Sequence, residues 1–309
     1  MDVSVVIATY NRKNLLEKSL ESLFRQNYPP DKYEIVIVDD GSTDGTEEMV
    51  KRKRPPCKLR YLRHSERKGP SKARNLGINK AEGEVIIFID SDVLTPPEFI
   101  REHMRLHKKH RDIIVDGPAI NTGKIEGVFD NRWGKLLASL DFFGASFITA
   151  NTSCRKENLL KAGLFDEEFG KGYGWFDREL GLKLREMGVK RIKNRRAYAF
   201  HIKRGKALAN FSELFEKAKD RGVNAALYYK KHPSRKVKHE IRFRYLFYDR
   251  LIFFKSWMEK ILKKKLSLPS NKSSPLLNLM ASLYLVHIYA EGLREGLKKF
   301  GVRDKEWKR

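Results

Sequence analysis

Two groups of aspartates stand out in the first third of the chain: Asp39, Asp40 and Asp44 in the run Asp-Asp-Gly-Ser-Thr-Asp-Gly, and Asp90 and Asp92 flanking Ser91. Both follow directly on short runs of Val and Ile. A third such run, Val3 to Ala8, leads into Thr9, Tyr10, Asn11 and Arg12. If these runs are parallel strands, four or five carboxylates converge on one sheet edge, where they repel unless a cation binds among them. Two aspartates one residue apart at a strand end suit a hard divalent cation that also bridges phosphate oxygens. The edge therefore reads as a site for metal and phosphate. Asp40 and Asp44 have a plainer alternative, since Asp-Gly-Ser runs also cap turns.

The elements that must hold these residues follow from periodicity. Val3 to Ala8, Glu34 to Val38, Leu59 to Leu62 and Val85 to Ile89 predict buried strands. Between the first two, Leu16, Leu20, Leu23 and Phe24 recur at spacings of three and four, which predicts an amphipathic helix over Arg12 to Gln26. Thr46 to Lys53 and Ser71 to Ala81 predict further helices, so strands and helices alternate and the class is α/β with a mostly parallel sheet. Beyond Asp92 the spacing predicts a helix over Pro97 to His110, a strand over Ile113 to Val115, a loop over Asn121 to Gly134, a helix over Asp177 to Met187 and a strand over Ala197 to His201. Phe243 to Leu262 and Leu276 to Leu297 predict two long helices joined by a turn at Leu268 to Pro275, a C-terminal helical hairpin.

The runs Val5 to Arg12 (VVIATYNR), Val38 to Thr46 (VDDGSTDGT) and Gly69 to Ile78 (GPSKARNLGI), followed by Asp90-Ser91-Asp92, resemble the glycosyltransferase family 2 signature on the GT-A fold. The resemblance covers roughly residues 1 to 205. It implies an inverting transferase that uses a nucleotide-diphosphate sugar together with Mn²⁺ or Mg²⁺, and it divides the chain into a GT-A-like domain over 1–205 and a basic helical region over 206–309.

Carried onto this sequence, the resemblance implies that Thr9, Tyr10 and Arg12 line the nucleotide pocket and that Asp40 accepts a hydrogen bond from the base. A phenol ring suits stacking on a nucleobase, and a carboxylate suits its N–H edge. Arg74 would stand near the diphosphate, where a guanidinium matches phosphate oxygens, with Lys72 as a second cation. Asp92 would be the direct metal ligand, Asp90 would contact ribose or metal-bound water, and His201 would be a third ligand. Asp177 would be the catalytic base that takes the proton from a hydroxyl acceptor, although Phe176 stands where the family usually has its first acidic residue. A polyprenyl phosphate acceptor, arriving ionised, would need no base.

Composition bounds the rest. Residues 1–200 carry a net charge of +8 and residues 201–309 carry +17 of the total +25. Phe247, Leu251, Phe254, Met258 and Ile261 share one helical side, beside Lys260 and Lys263 to Lys265. That pattern suits a helix on an anionic membrane surface, with packing on the protein as the alternative. The expectation is a peripheral enzyme at the cytoplasmic face, with an acceptor that is lipid-linked or a growing glycan. Val3 to Ala8 is shorter than a signal-peptide core, and Leu276 to Ala290 is shorter than the roughly 20 residues of a spanning helix. Cys57 and Cys154 are too few for a disulfide framework. No glycine fingerprint follows the first strand, which excludes a dinucleotide-dependent dehydrogenase. The basic region lacks a nucleic-acid reading motif, so no nucleic-acid partner is expected.

Overall fold

The structure, a computed structural model, describes residues 1–122, 147–202, 211–251, 255–266 and 275–302. The chain forms two compact units: Met1–Lys171 with Asp177–Gly205, and Gly172–Phe176 with Lys206–Arg309.

Among the described residues the first unit has ten strands: β1 (Val3–Thr9), β2 (Tyr33–Asp39), β3 (Lys58–Arg63), β4 (Val85–Asp90), β5 (Val93–Leu94), β6 (Ile113–Asp116), β7 (Ala119–Thr122), β8 (Asn151–Arg155), β9 (Lys190–Lys193) and β10 (Ala199–Ile202). Seven of them form one sheet in the order β3-β2-β1-β4-β8-β6-β9, and β5-β10-β7 form a second. The first four strands of the large sheet run parallel, and β8 runs antiparallel to both of its neighbours. Helices α1 (Lys13–Leu23), α2 (Thr46–Lys51), α3 (Pro70–Lys80), α4 (Phe99–His107), α5 (Lys156–Lys161) and α6 (Phe176–Glu186) complete the α/β pattern.

The Val- and Ile-rich runs become central strands because both faces are covered: every residue of β2 is buried. Val5, Ile7, Leu16, Leu20, Leu23, Ile35, Ile37, Ile87 and Ile89 belong to one continuous core. Gly77 brings α3 close to the sheet, since a Cβ there would lie 2.6 Å from Val6. The register aligns Thr9 with Asp39 and Ala8 with Asp90, which places the polar residues after β1, β2 and β4 at one edge.

The second unit is helical, as expected, and differs from that expectation in the continuity of one helix. Its helices are α7 (Phe211–Lys231), α8 (Arg235–Glu240), α9 (Tyr245–Tyr248), α10 (Lys255–Leu266) and α11 (Pro275–Lys299). A single continuous helix over Phe243 to Leu262 does not form: α9 runs into a short 3-10 turn at Asp249–Leu251, and a separate helix begins at Lys255. Of the apolar side expected there, Met258 is buried with Leu262, Met280, Ala281 and Tyr284, and Ile261 packs against them, whereas Phe247 and Leu251 are exposed. Phe254, the turn at 268–275 up to residue 274, the side chains of Lys263 to Lys265 and most of the loop expected over Asn121 to Gly134 lie outside the described residues.

The main partner of α11 is α7. Three glycines let the two backbones touch: a Cβ on Gly222 would lie 2.2 Å from the Tyr289 carbonyl oxygen, one on Gly292 2.1 Å from that of Lys219, and one on Gly296 2.7 Å from that of Val223. Among the described residues no helix is long and apolar enough to cross a membrane.

Candidate active site

The turn after β1 is built to present side chains. Asn11 takes a left-handed backbone (φ 49°), its N–H donates to Ser42 Oγ at 2.8 Å, and its Oδ1 accepts from Thr43 N–H at 2.8 Å. These bonds tie the β1 and β2 ends together and leave Tyr10 and Arg12 exposed on either side of Asn11. Thr9 lies beneath, buried, its Oγ1 without a hydrogen-bond partner among the described residues.

The aspartates after β2 divide their work. Asp39 is fully buried and holds the turn, accepting from Ser42 N–H at 2.7 Å and from the Tyr61 hydroxyl at 2.5 Å. Asp44 caps the start of α1 by accepting from Lys13 N–H at 2.8 Å. The turn-capping alternative thus describes the local bonding of Asp44, and Asp39 shares it. Asp40 organises the loop after β3: Oδ1 accepts from Lys68 N–H and pairs with His64 Nδ1, both at 2.8 Å, and Oδ2 accepts from Gly69 N–H at 2.8 Å. A carboxylate offers about four lone-pair positions, so one on Oδ2 remains for a further donor. The same loop swings Arg67 over Tyr10, its guanidinium carbon 4.8 Å from the ring centroid. His64 and Arg67 carry no spacing signal of their own. They become visible only when the strand-end rule is extended to β3.

The acidic group after β4 forms the centre of the site. Ligand atoms of Asp90, Asp92 and His201 all lie within 4.8 Å of one another. His201 arrives from the second sheet, where β10 pairs antiparallel with β5 and sets His201 opposite Val93. Its Nε2 lies 3.1 Å from Asp92 Oδ1, and Arg12 reaches Asp92 Oδ2 at 2.6 Å. Burial works to raise the Asp92 carboxyl, but the His201 hydrogen bond and the Arg12 charge outweigh it and hold Asp92 below the usual carboxylate range. Asp90 is partly open and accepts from Arg74 at 3.0 Å. Arg74 is buried along α3, close to the Phe165 ring. Two carboxylates and one imidazole form a donor set that fits a divalent ion of the Mn²⁺ or Mg²⁺ kind.

Lys72 is not brought into this group; its Nζ stands 4.0 Å from Glu167, and both side chains are substantially exposed. Asp177 is the second residue of α6 and is half-buried. Burial raises its carboxyl above the ordinary value, against the Arg178 N–H and the Arg74 charge, while the charge of Asp90 adds to the rise. A carboxylate raised in this way is a better proton acceptor than an ordinary aspartate.

Several known proteins are similar to this chain. Bacillus subtilis YfnE, an uncharacterized glycosyltransferase, is 26% identical over 61% of this chain and 62% of its own length. The validoxylamine A glucosyltransferase of Streptomyces hygroscopicus subsp. limoneus is 28% identical over 75% of this chain and 57% of its own. The chain therefore spans less than two thirds of the length of these relatives. Among solved structures, the mannosyltransferase PcManGT of Pyrobaculum calidifontis, in complex with GDP-Man and Mn²⁺, superposes with a TM-score of 0.62 over 96% of this chain and 87% of that one, at 20% identity. Staphylococcus aureus TarS 1-349 with UDP-GlcNAc gives 0.54 over 96% and 92%, at 19% identity. Both likenesses are of fold, and that fold is GT-A. The glycosyl transferase family 2 model matches residues 4–159, from the first strand through the acidic cluster and on into α5, and the chain belongs to that family.

Proposed function

We propose that this glycosyltransferase is a divalent-cation-dependent, inverting enzyme that moves a sugar from a nucleotide-diphosphate donor to a hydroxyl acceptor. The observation that carries the reading is the Asp90–Asp92–His201 cluster at the carboxyl end of β4, with Arg74 bonded to Asp90. Asp90, Asp92 and His201 would hold the cation, which would supply positive charge to the departing diphosphate. Arg74 would bind a phosphate oxygen from a fixed position. Tyr10 would stack on the base, with Arg67 giving up its place on the ring, and the open lone pair of Asp40 would accept a base N–H. Thr9 and Arg12 complete the donor side, and Lys72 stands at its margin. Asp177 would accept the hydroxyl proton as the acceptor oxygen attacks opposite the leaving group.

Support for the donor class comes from the relatives: PcManGT was solved with GDP-Man and TarS with UDP-GlcNAc. A lipid-linked acceptor at the cytoplasmic face of a membrane is the fuller form of the proposal. Leu276, Leu279 and Leu283 recur at spacings of three and four along α11 and are exposed, as are Trp257 on α10 and Phe247 and Leu251 around the 3-10 turn. Apolar side chains in a strongly basic unit suit shallow insertion among anionic headgroups.

The test is a thermal-shift panel of UDP, GDP and dTDP, each with and without Mn²⁺. One nucleotide raises the melting temperature in a metal-dependent manner, and Asp92→Ala removes that rise. No stabilisation by any nucleotide with Mn²⁺ overturns the donor reading. For the membrane, flotation of the full chain with anionic vesicles at low salt is expected, and Leu279→Glu with Leu283→Glu abolishes it.

A further inference from the structure

The Asp92 carboxylate is already held by a cation belonging to the chain itself. We propose that Arg12 is a displaceable stand-in for the divalent ion, opposing metal binding until a nucleoside diphosphate offers its guanidinium another partner. The inference rests on reading Asp90, Asp92 and His201 as the metal ligands.

Both carboxylates of the cluster are paired with arginines, yet the two arginines differ in freedom. Arg74 bonds Asp90 at 3.0 Å, with a side chain 9% exposed and clamped along α3. Arg12 bonds Asp92 at 2.6 Å with a side chain 41% exposed. The Arg12 backbone is pinned, because its carbonyl accepts the Leu15 and Leu16 N–H groups at 3.1 and 2.9 Å. Only the side chain needs to move, and it has solvent to move into. While Arg12 and Arg74 stay in place, their two positive charges match the two negative charges of the aspartates. A dication entering this group meets a balanced charge and must displace one guanidinium. Arg12 is the one that can leave. A diphosphate beside the cluster gives the freed fork two oxygens to bind, so the nucleotide lowers the cost of releasing Asp92. Metal and nucleotide then bind cooperatively through one side-chain swing.

Direct Mn²⁺ binding, followed by the electron paramagnetic resonance of the free ion, tests this on the whole 309-residue chain. Arg12→Gln, with no nucleotide present, binds Mn²⁺ about tenfold tighter than the unaltered chain, the scale of one charge-assisted hydrogen bond. The same variant binds UDP or GDP more weakly in saturating Mn²⁺. Lys13→Gln, which removes a neighbouring positive charge that does not touch Asp92, changes Mn²⁺ affinity less than about twofold. Arg12→Met serves as a second version should the Gln variant misfold. If Arg12→Gln and Arg12→Met bind Mn²⁺ no tighter than the unaltered chain, the proposal is overturned. Equal tightening by Lys13→Gln also overturns it, since the effect is then a general field. If no form binds Mn²⁺ even with UDP or GDP present, the metal reading fails and takes this inference with it.

Discussion

The two units each contain aspartate surrounded by cations, and the contrast between the two clusters separates a site from a brace. In the first unit, two carboxylates and an imidazole face two guanidinium groups, Asp90 is partly open, and the Arg12 side chain is solvent-exposed. In the second unit a single carboxylate, Asp249, is fully buried and held by Lys255 at 2.9 Å, His287 at 2.7 Å and Arg294 at 2.7 Å. One carboxylate facing Lys255 and Arg294 is already outnumbered in charge, which opposes a dication. Two carboxylates converging with a histidine form a donor set that fits one. The count of acids per cation, rather than the presence of acidic residues, marks where chemistry can occur.

Exchanging charge for a neutral isostere at each cluster tests that distinction. Asp92→Asn lowers transfer by about 10³-fold or more, as loss of several kcal/mol of charge stabilisation requires, while chemical denaturation shows a loss of about 1 kcal/mol, because the depressed carboxyl favours the fold but its Arg12 partner is solvent-exposed. Asp177→Asn lowers turnover by about 10²- to 10⁴-fold and leaves donor affinity intact. Its carboxyl is raised in the folded state, so the acid limb of the pH–rate profile lies above the usual aspartate range. The charged form is the disfavoured one when folded, and the Asn variant melts no lower than the parent at neutral pH. Unchanged turnover would move the acceptor towards an already ionised polyprenyl phosphate.

Asp249→Asn produces the opposite pattern: donor binding persists, and stability falls by about 2 kcal/mol because three partly exposed basic groups lose their one buried partner. Burial works to raise the Asp249 carboxyl, but its bonds to Lys255, Arg294 and His287 outweigh this and hold it below the ordinary value. Its stabilisation is therefore complete above the ordinary carboxylate pKa and is lost as pH falls through the depressed one. Acid titration of helical circular dichroism, compared with the Asn variant, measures this directly. The smallest effect belongs to Lys72→Ala, whose solvated contact with Glu167 is worth less than about 0.5 kcal/mol. A large loss of donor affinity there would draw Lys72 into the donor site.

The acidic edge was legible because strand ends in a parallel sheet converge by topology, and each Val/Ile run stops at its aspartate. His201 was legible through the family resemblance, since it stands within β10 of the second sheet and not at a strand end of the parallel one. Two other classes of element were not. β8 reads Asn-Thr-Ser-Cys-Arg and has no apolar run, yet it lies buried in the sheet, because His103 bonds Ser153 and Asn151 and His107 bonds Ser153 from α4. Burial pushes His103 down to about 4 and His107 to about 3, so both serve as neutral hydrogen-bonding groups. A strand whose polar groups are satisfied by another element carries no period of its own. Helix α7 went unread for a related reason: Gly222 weakens a helix considered alone, and its value lies in what touches it.

That touching point has a kinetic consequence. The backbones that meet at Gly222 and Gly292 are separated by roughly seventy residues of chain, so this contact cannot be made by near neighbours in sequence. Closing so large a loop costs chain entropy before any contact repays it, and this raises the contact order of an otherwise all-helical unit, whose folding is slower than its helix content implies. Until α11 arrives, the α7 backbone exposed at Gly222 lacks the close-packed partner that Gly292 and Gly296 allow. Assembly of the unit is therefore gated by its last helix.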